Sequence, residues 1–256
     1  MRYGQGLMSQ TLSGEQFLMA DPGVTAIIPA YNDRPALERA LPAAVAVLQG
    51  MAVPDGFEIL VAEDGSTDGS AELIRRLERD DPRIRLLHSD NRLGRGRALN
   101  RAIAMAKGAV VCYFDVDLAT DMRHLPELIG AIRNGADVAT GSRLLPGSDI
   151  VRTGGREIAS RTYNLLVRVI LRSSLYDHQC GFKAFNRKRI MNILPSIRDG
   201  HWFWDTELLV RCQRQGYKVL EFPVRWRAGK GSTVRAKDIF SMGSSILRLW
   251  WQLNVP

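Results

Sequence analysis

Two acids one residue apart, Asp115 and Asp117, close a run of apolar and aromatic residues, Val110-Val111-Cys112-Tyr113-Phe114. The run is apolar at consecutive positions, the pattern of a parallel strand buried on both faces. The acids therefore fall at the carboxyl end of a strand, where open α/β sheets bind ligands. Two carboxylates converging there suit a hard divalent cation that carries phosphate. A plainer reading is a strand end followed by an Asp helix cap. Tyr31-Asn32-Asp33 and Glu63-Asp64-Gly65-Ser66 end two other strand-like runs. Acids on such adjacent loops can hydrogen-bond a ribose or base edge and hold a metal on a diphosphate. Gly94 and Gly96 do not begin a GxGxxG motif, because Leu99 takes the third glycine position, and no Walker lysine motif is present. The usual dinucleotide and P-loop readings therefore fail. Gly94-Arg95-Gly96-Arg97 still lets a backbone and two Arg approach a phosphate.

The elements that would position these residues follow from periodicity. Residues 24–29 read as a first strand, and Arg34-Pro35 opens a helix through Leu37, Leu41, Val45 and Leu48, with Pro42 as a candidate kink. Residues 58–62 make a second strand, and Ser66 or Thr67 is expected to cap the helix bearing Leu73, Ile74 and Leu77. Residues 84–88 make a third strand. Gly94-Arg95-Gly96 precedes a helix that Gly108 should end. Strand, loop and helix thus recur at the spacing of βαβ crossovers in a parallel sheet. Beyond the opening strand come a helix around 125–132, a short strand at 137–140, a returning strand at 180–185 and a helix from Trp202. A last strand over 219–226 should lie at an edge, because Pro223 interrupts it.

The second half is rich in arginine. Arg161, Arg168 and Arg172 lie within ~40° on the wheel of an expected helix over 157–172. A narrow Arg stripe on a broadly apolar helix fits an interfacial helix on an anionic membrane. It equally fits a core helix with its Arg in solvent. Ile239, Met242, Ile246, Leu249, Trp250 and Leu253 mark an amphipathic C-terminal helix, suited to a membrane interface or to docking on the domain. Net charge is +8 over 256 residues, which attracts nucleic acid, anionic lipid or phosphorylated ligands. Three cysteines without a CxxC pair argue for a reducing compartment and against a disulfide framework or zinc site. No apolar run approaches the ~20 residues that span a bilayer. Residues 1–22 lack the apolar core of a signal peptide and read as a flexible N-terminal extension.

In order and spacing, residues 24–33, 61–68, 91–98 and Asp115-Val116-Asp117 resemble the successive motifs of family 2 glycosyltransferases. Asp177-His178-Gln179-Cys180-Gly181-Phe182-Lys183 and residues 202–209 resemble the polyprenyl-phosphate branch of that family. The resemblance covers about residues 24–233. It implies the GT-A fold, a Rossmann-like, mostly parallel α/β sheet flanked by helices, with C-terminal amphipathic helices. The corresponding organisation is a GT-A domain over 23–235, a basic amphipathic acceptor or membrane-interface segment within about 150–175, and the amphipathic helix over 236–256.

By resemblance, Pro29, Tyr31 and Asp33 flank the nucleotide of a GDP- or UDP-sugar, Asp64 contacts its base or ribose, and Arg95 lies on the donor side. Asp115 and Asp117 would coordinate Mg²⁺ or Mn²⁺ on the diphosphate. Asp33 stands where Glu is usual, Glu63 replaces an Asp, Arg95 replaces a Lys, and Ala119 occupies the position of a third metal ligand, leaving Asp121 or water to serve. Arg143, Arg156 and Ser160 resemble an acceptor-phosphate set, and Arg227 a further Arg near the diphosphate on a closing loop. Residues 227–233 carry the glycines of a lid. Asp177 and Asp205 are candidate contacts to the donor sugar or to a bound Arg, with helix capping an alternative for Asp205. The implied activity is inverting transfer of mannose or glucose to a dolichyl or polyprenyl phosphate at the cytoplasmic membrane face. Membrane contact would be peripheral, direct or through a separate membrane subunit, and no nucleic-acid partner is expected. The alternatives are transfer to a lipid-linked glycan, polysaccharide or protein, and a non-catalytic membrane- or nucleic-acid-binding module.

Overall fold

The computed structural model describes residues 22–53, 55–151, 154–227 and 236–255. Residues 1–21 of the expected extension and 228–233 of the expected lid lie outside them. The first half alternates as expected: β1 (Val24–Ala30), α1 (Arg34–Gly50), β2 (Phe57–Glu63), α2 (Ser70–Asp80), β3 (Ile84–Leu87), α3 (Arg95–Met105) and β4 (Val110–Phe114). Then follow α4 (Leu125–Arg133), β5 (Val138–Ser142), β6 (Asp149–Val151), α5 (Gly154–Leu171), β7 (Phe182–Asn186) and α6 (Arg187–Ile193). The chain closes with α7 (Trp204–Arg214), β8 (Val219–Pro223), β9 (Arg225–Arg227) and α8 (Ala236–Asn254).

Among the described residues, seven strands form one sheet in the order β3-β2-β1-β4-β7-β5-β8. β1 pairs with β2 along its whole length but with β4 only from Val24↔Val110 to Ile27↔Tyr113. The two central strands therefore part toward their carboxyl ends. The chain also reverses its direction of winding there, because β2 lies on one side of β1 and β4 on the other. That is the topological switch point at which open sheets bind ligands. β7 runs antiparallel between β4 and β5. Its register, Phe114↔Phe182, delivers the preceding segment, residues 177–181, to the carboxyl end of β4.

Alternate residues of the inner strands face two helical layers. Ala26 and Ile28 pack with α1, α2 and α4. Ile27 and Leu60 pack with α3 and α7 through Leu99, Ile103, Trp204 and Leu208. A third apolar cluster joins Tyr163, Val167 and Leu171 of α5 to Met242, Ile246 and Leu249 of α8.

Several local expectations change. Neither Ser66 nor Thr67 caps α2; its N-cap is Gly69 at φ 84, and Asp68 accepts from the Ser70 amide instead. Ser66 and Thr67 bond across to Asn32, tying the loop after β2 to the loop after β1. Arg95 and Gly96 lie inside α3 rather than before it. Gly108 does not end α3, which stops at Met105. A Cβ on Gly108 would lie 2.3 Å from the Thr25 nitrogen, so close passage to β1 demands this glycine. The strand expected over 219–226 is two: the Val224 amide completes the β5 pairing at the Ser142 carbonyl, and its own carbonyl accepts from the Asp149 amide of β6. β9 then pairs with β6, a strand without sequence signal. Pro42 lies within α1, which runs on through it.

Candidate active site at the sheet switch point

Asp115 and Asp117 leave β4 where it parts from β1. The Asp115 amide donates to the Gly181 carbonyl, and Asp117 accepts from the Ala119 amide at 3.0 Å. Burial, and then the charge of Asp115, raise the Asp117 carboxyl above its usual range; Asp33 adds to this from across the crevice. A cation relieves that repulsion, and an all-oxygen donor set suits Mg²⁺ or Mn²⁺. Among the described residues no group of three His, Cys, Asp or Glu is arranged to hold a metal. Asp121 is committed elsewhere: its carboxylate grips the Arg123 guanidinium and caps the following turn. That bond to Arg123 holds it well below the usual carboxylate range.

One side of the crevice is built from the loops after β1, β2 and β3. Pro29 lies near the end of β1, opposite Ala62. Tyr31 is half-exposed, with the Arg92 guanidinium 3.9 Å over its ring. Asp33 caps α1. Glu63 is fully buried and accepts from the Ser66 amide and the His88 ring. Asp64 accepts from the amides of Leu93 and Gly94 at 2.6 and 3.0 Å, which fixes the loop entering α3. Arg95 then reaches back under the site. Its two terminal nitrogens bond Asp205 at 2.6 Å and Asp115 at 2.8 Å.

Asp205, in the first turn of α7, is buried and also accepts from Tyr113 and from Lys183 at 3.0 Å. Burial opposes its charge, yet Lys183 and Arg95 outweigh this and lower its pKa. Lys183 is itself fully buried and donates to the carbonyls of Cys180 and His178 at 2.5 and 3.3 Å. Sequence reasoning passed over Lys183, although a lysine inside the apolar run Phe182-Lys183-Ala184-Phe185 was a signal.

In the segment before β7, Asp177 takes the Arg143 fork bidentately, at 2.7 Å to Nε and 2.8 Å to Nη2, and also accepts the Arg143 amide. The pair is buried. Burial opposes the Asp177 charge, but the adjacent guanidinium wins and holds the carboxyl far below its usual range. The Arg143 guanidinium lies 5.7 Å from the Trp226 ring of β9. Arg227 ends β9, pairs with Asp149 at 2.7 Å, and donates its amide to the Ala119 carbonyl. It thus adjoins the loop that carries Asp117. Ser160 lies on α5, and its buried hydroxyl has no hydrogen-bond partner among the described residues. Arg156 falls one helical turn before it, with a side chain outside the described ones. Another network escaped sequence reasoning: Asn164 donates to the Ser160 carbonyl and accepts from both the amide and the ring Nδ1 of His178.

The crevice between β1 and β4 is thus bordered by the polar loops after β1, β2 and β3 and by Asp115 and Asp117, with the buried Arg143–Asp177 pair near enough to feel the charge of Asp115. Comparison with known proteins agrees with that reading of the fold. Across 91% of its length the chain is 51% identical to the glycosyltransferase AglD of Haloferax volcanii, of which it spans 38%. It is 30% identical to the dolichyl-phosphate beta-glucosyltransferase of Dictyostelium discoideum, covering 90% of this chain and 77% of that one. Glucosyl-3-phosphoglycerate synthase from Mycobacterium tuberculosis, solved with Mn²⁺, UDP-glucose and phosphoglyceric acid, shares the fold. Its TM-score is 0.62 at 18% identity, covering 90% of this chain and 79% of that one. Residues 25–194 match the model of glycosyl transferase family 2, and the chain belongs to that family.

Proposed function

We propose that the protein is an inverting glycosyltransferase that moves a hexose, glucose or mannose, from a UDP- or GDP-sugar to a dolichyl or polyprenyl phosphate. The observation that carries the reading is the pair Asp115/Asp117 at the switch point, with Arg143, held on buried Asp177, near enough to Asp115 to feel its charge. The 30% identical dolichyl-phosphate glucosyltransferase supports the acceptor class.

Asp115 and Asp117 would hold Mg²⁺ or Mn²⁺, which when bound supplies Lewis-acid neutralisation of the diphosphate leaving group. Tyr31 and Asp33 border the nucleotide, while Asp64 acts by fixing the loop into α3. A lipid phosphate is already an anionic nucleophile, so no strong general base is required. What the chain must supply is cations that align that phosphate with the anomeric carbon. Arg143 is pre-set for this by Asp177, and the unpartnered Ser160 hydroxyl has a hydrogen bond to offer. Arg227, now paired with Asp149, would add a further cation, and Arg156 belongs to the set by resemblance. One displacement at the anomeric carbon inverts it.

Lipid access is supported by α5. Ile158, Leu165 and Val169 are 68%, 57% and 68% exposed, and they fall within ~40° of one another on the helix wheel. The buried residues Tyr163, Val167 and Leu171 lie on the opposite side. Burial in the core therefore does not account for the exposed stripe. Arg161 borders it on the helix, Arg172 follows the end of α5 at φ 54, and Leu247 and Trp251 of α8 are similarly exposed. Among the described residues no helix is long and apolar enough to cross a membrane. The stripe fits peripheral contact with an anionic bilayer surface at the cytoplasmic face.

The test is a donor screen. UDP-glucose and GDP-mannose are offered with polyprenyl phosphate, with and without Mg²⁺ or Mn²⁺. The expected product is an acid-labile lipid-phosphate sugar formed only with metal. Label entering glycan or protein instead would move the assignment to another acceptor.

A further inference from the structure

Asp115 is held from two sides by groups that would not themselves touch a bound cation. On one side, Arg95 bridges Asp115 Oδ1 and Asp205 Oδ2 with separate nitrogens of one fork. Arg95 is itself fixed, 14% exposed at the side chain and seated between the rings of Tyr113 and Trp202, at 5.4 and 5.6 Å from their centroids. Its anchor Asp205 is secured in turn by fully buried Lys183. On the other side, the Asp115 carboxylate lies against Gly181. A Cβ there would fall 1.9 Å from Asp115 Oδ2 and 2.3 Å from its Cγ. The backbone of Gly181 is not left-handed, so conformation alone does not require glycine. What requires it is the carboxylate.

The charges alternate outward from the core: Lys183, Asp205, Arg95, Asp115. The next group in that order is a cation at the crevice. The first three are buried and mutually bonded, so the position of Asp115 is settled before any ligand arrives. A carboxylate that is 44% exposed would otherwise sample several rotamers and lose that freedom on binding.

We propose that Arg95 and Gly181 are positioning residues for the metal carboxylate: Arg95 carries the order of the buried Lys183–Asp205 pair to Asp115 Oδ1, and Gly181 leaves the space in which Oδ2 stands. The proposal rests on the reading of Asp115 and Asp117 as metal ligands. It assigns Arg95 a role distinct from contact with the donor phosphates. It also gives a reason for arginine at this position, since a lysine ammonium lacks the planar fork that spans two carboxylates with separate nitrogens.

The experiment measures Mn²⁺ affinity directly, by titration calorimetry and by the electron paramagnetic resonance signal of free Mn²⁺. Mn²⁺ is titrated alone and with UDP or GDP, on the wild-type chain, Asp117→Asn, Arg95→Lys, Gly181→Ala and Asp205→Asn. Far-UV circular dichroism and the thermal midpoint verify folding. Gly181→Ala is the cleanest variant, because the displaced group is the end of a flexible side chain. The expected result is a rise in the Mn²⁺ Kd of at least about tenfold for Arg95→Lys and for Gly181→Ala, the scale seen when groups orienting metal ligands are removed. Arg95→Lys and Asp205→Asn should be non-additive in the double variant, because they break one chain. Wild-type affinity in folded Arg95→Lys or folded Gly181→Ala, with Asp117→Asn defective, overturns the positioning proposal alone. Tighter binding in Arg95→Lys also overturns it, showing Arg95 to compete with the metal. If the wild type binds no Mn²⁺, or Asp117→Asn binds it equally well, the metal-site reading itself fails.

Discussion

Asp177 and Arg143 show how a single buried pair can serve both stability and chemistry. Asp177 is completely buried, and all its acceptor capacity faces Arg143 and local amides. Replacing it with Asn leaves a guanidinium without its counter-charge. Asp177→Asn should cost about 3 kcal/mol, the scale for breaking a buried pair, measured by urea unfolding. It should also raise KM for the acceptor more than KM for the donor. Beside it, burial pushes the His178 imidazole down to about 3. The unfolded chain titrates near 6.5, so between these values the unfolded state binds the extra proton. The contribution of His178 is therefore fully present above about pH 6.5 and is lost as pH falls toward the folded value. Unfolding free energies at pH 7 and pH 5 should fall by about 2 kcal/mol more in the wild type than in His178→Asn. An equal fall in both would place the sensitive group elsewhere. The acids at the strand ends could be singled out as residues, although capping competed as a reading and Asp33 does cap α1. Their partners could not: Arg95 meets Asp205 across 110 positions, a pairing no local pattern records.

At the scale of elements, α5 carries the proposed acceptor contact Ser160, and Asn164 fastens the helix. Its amide joins the Ser160 carbonyl of α5 to the His178 amide and ring. Through His178 the helix is registered against Asp177 and hence against Arg143. Asn164→Ala strands several buried polar groups and should cost about 2 kcal/mol, read as a lowered denaturation midpoint with unchanged m-value. The βαβ half of the fold was legible because each strand is a consecutive apolar run and each helix has a clear stripe. The later half was less so. β7 enters antiparallel, which no pattern in Phe182-Lys183-Ala184-Phe185 specifies. β6 is a three-residue strand, exposed at Asp149 and Val151 and half-buried at Ile150, whose pairing with β9 follows the turn at Val224. The cap of α2 was misread because Ser66 and Thr67 satisfy Asn32 across loops, a non-local use of residues whose local preference is capping.

Over the whole molecule, the switch-point crevice and the exposed face of α5 and α8 would let a water-soluble donor meet a lipid acceptor. The apolar stripe of α5 opposite its buried face is the large-scale feature that burial in the core leaves unexplained. Leu165→Ser combined with Trp251→Ser should reduce co-sedimentation with anionic vesicles severalfold and leave transfer to a short-chain, soluble polyprenyl phosphate intact. Loss of both together would point to a folding defect instead. Of the expected arginine stripe, Arg161 stands exposed on α5, but Arg168 lies 4.3 Å over the Tyr176 ring with its Nε buried and Arg172 falls beyond the helix end, while the exposure of the apolar neighbours needed the packing of α8. The account stands most directly on one assay: transfer of labelled hexose from nucleotide sugar to polyprenyl phosphate, in the presence of metal, by the wild type and by Asp117→Asn. The account predicts that label enters an acid-labile lipid phosphate with the wild type, and that EDTA or Asp117→Asn abolishes it while circular dichroism shows the fold retained. Undiminished transfer by folded Asp117→Asn would contradict it.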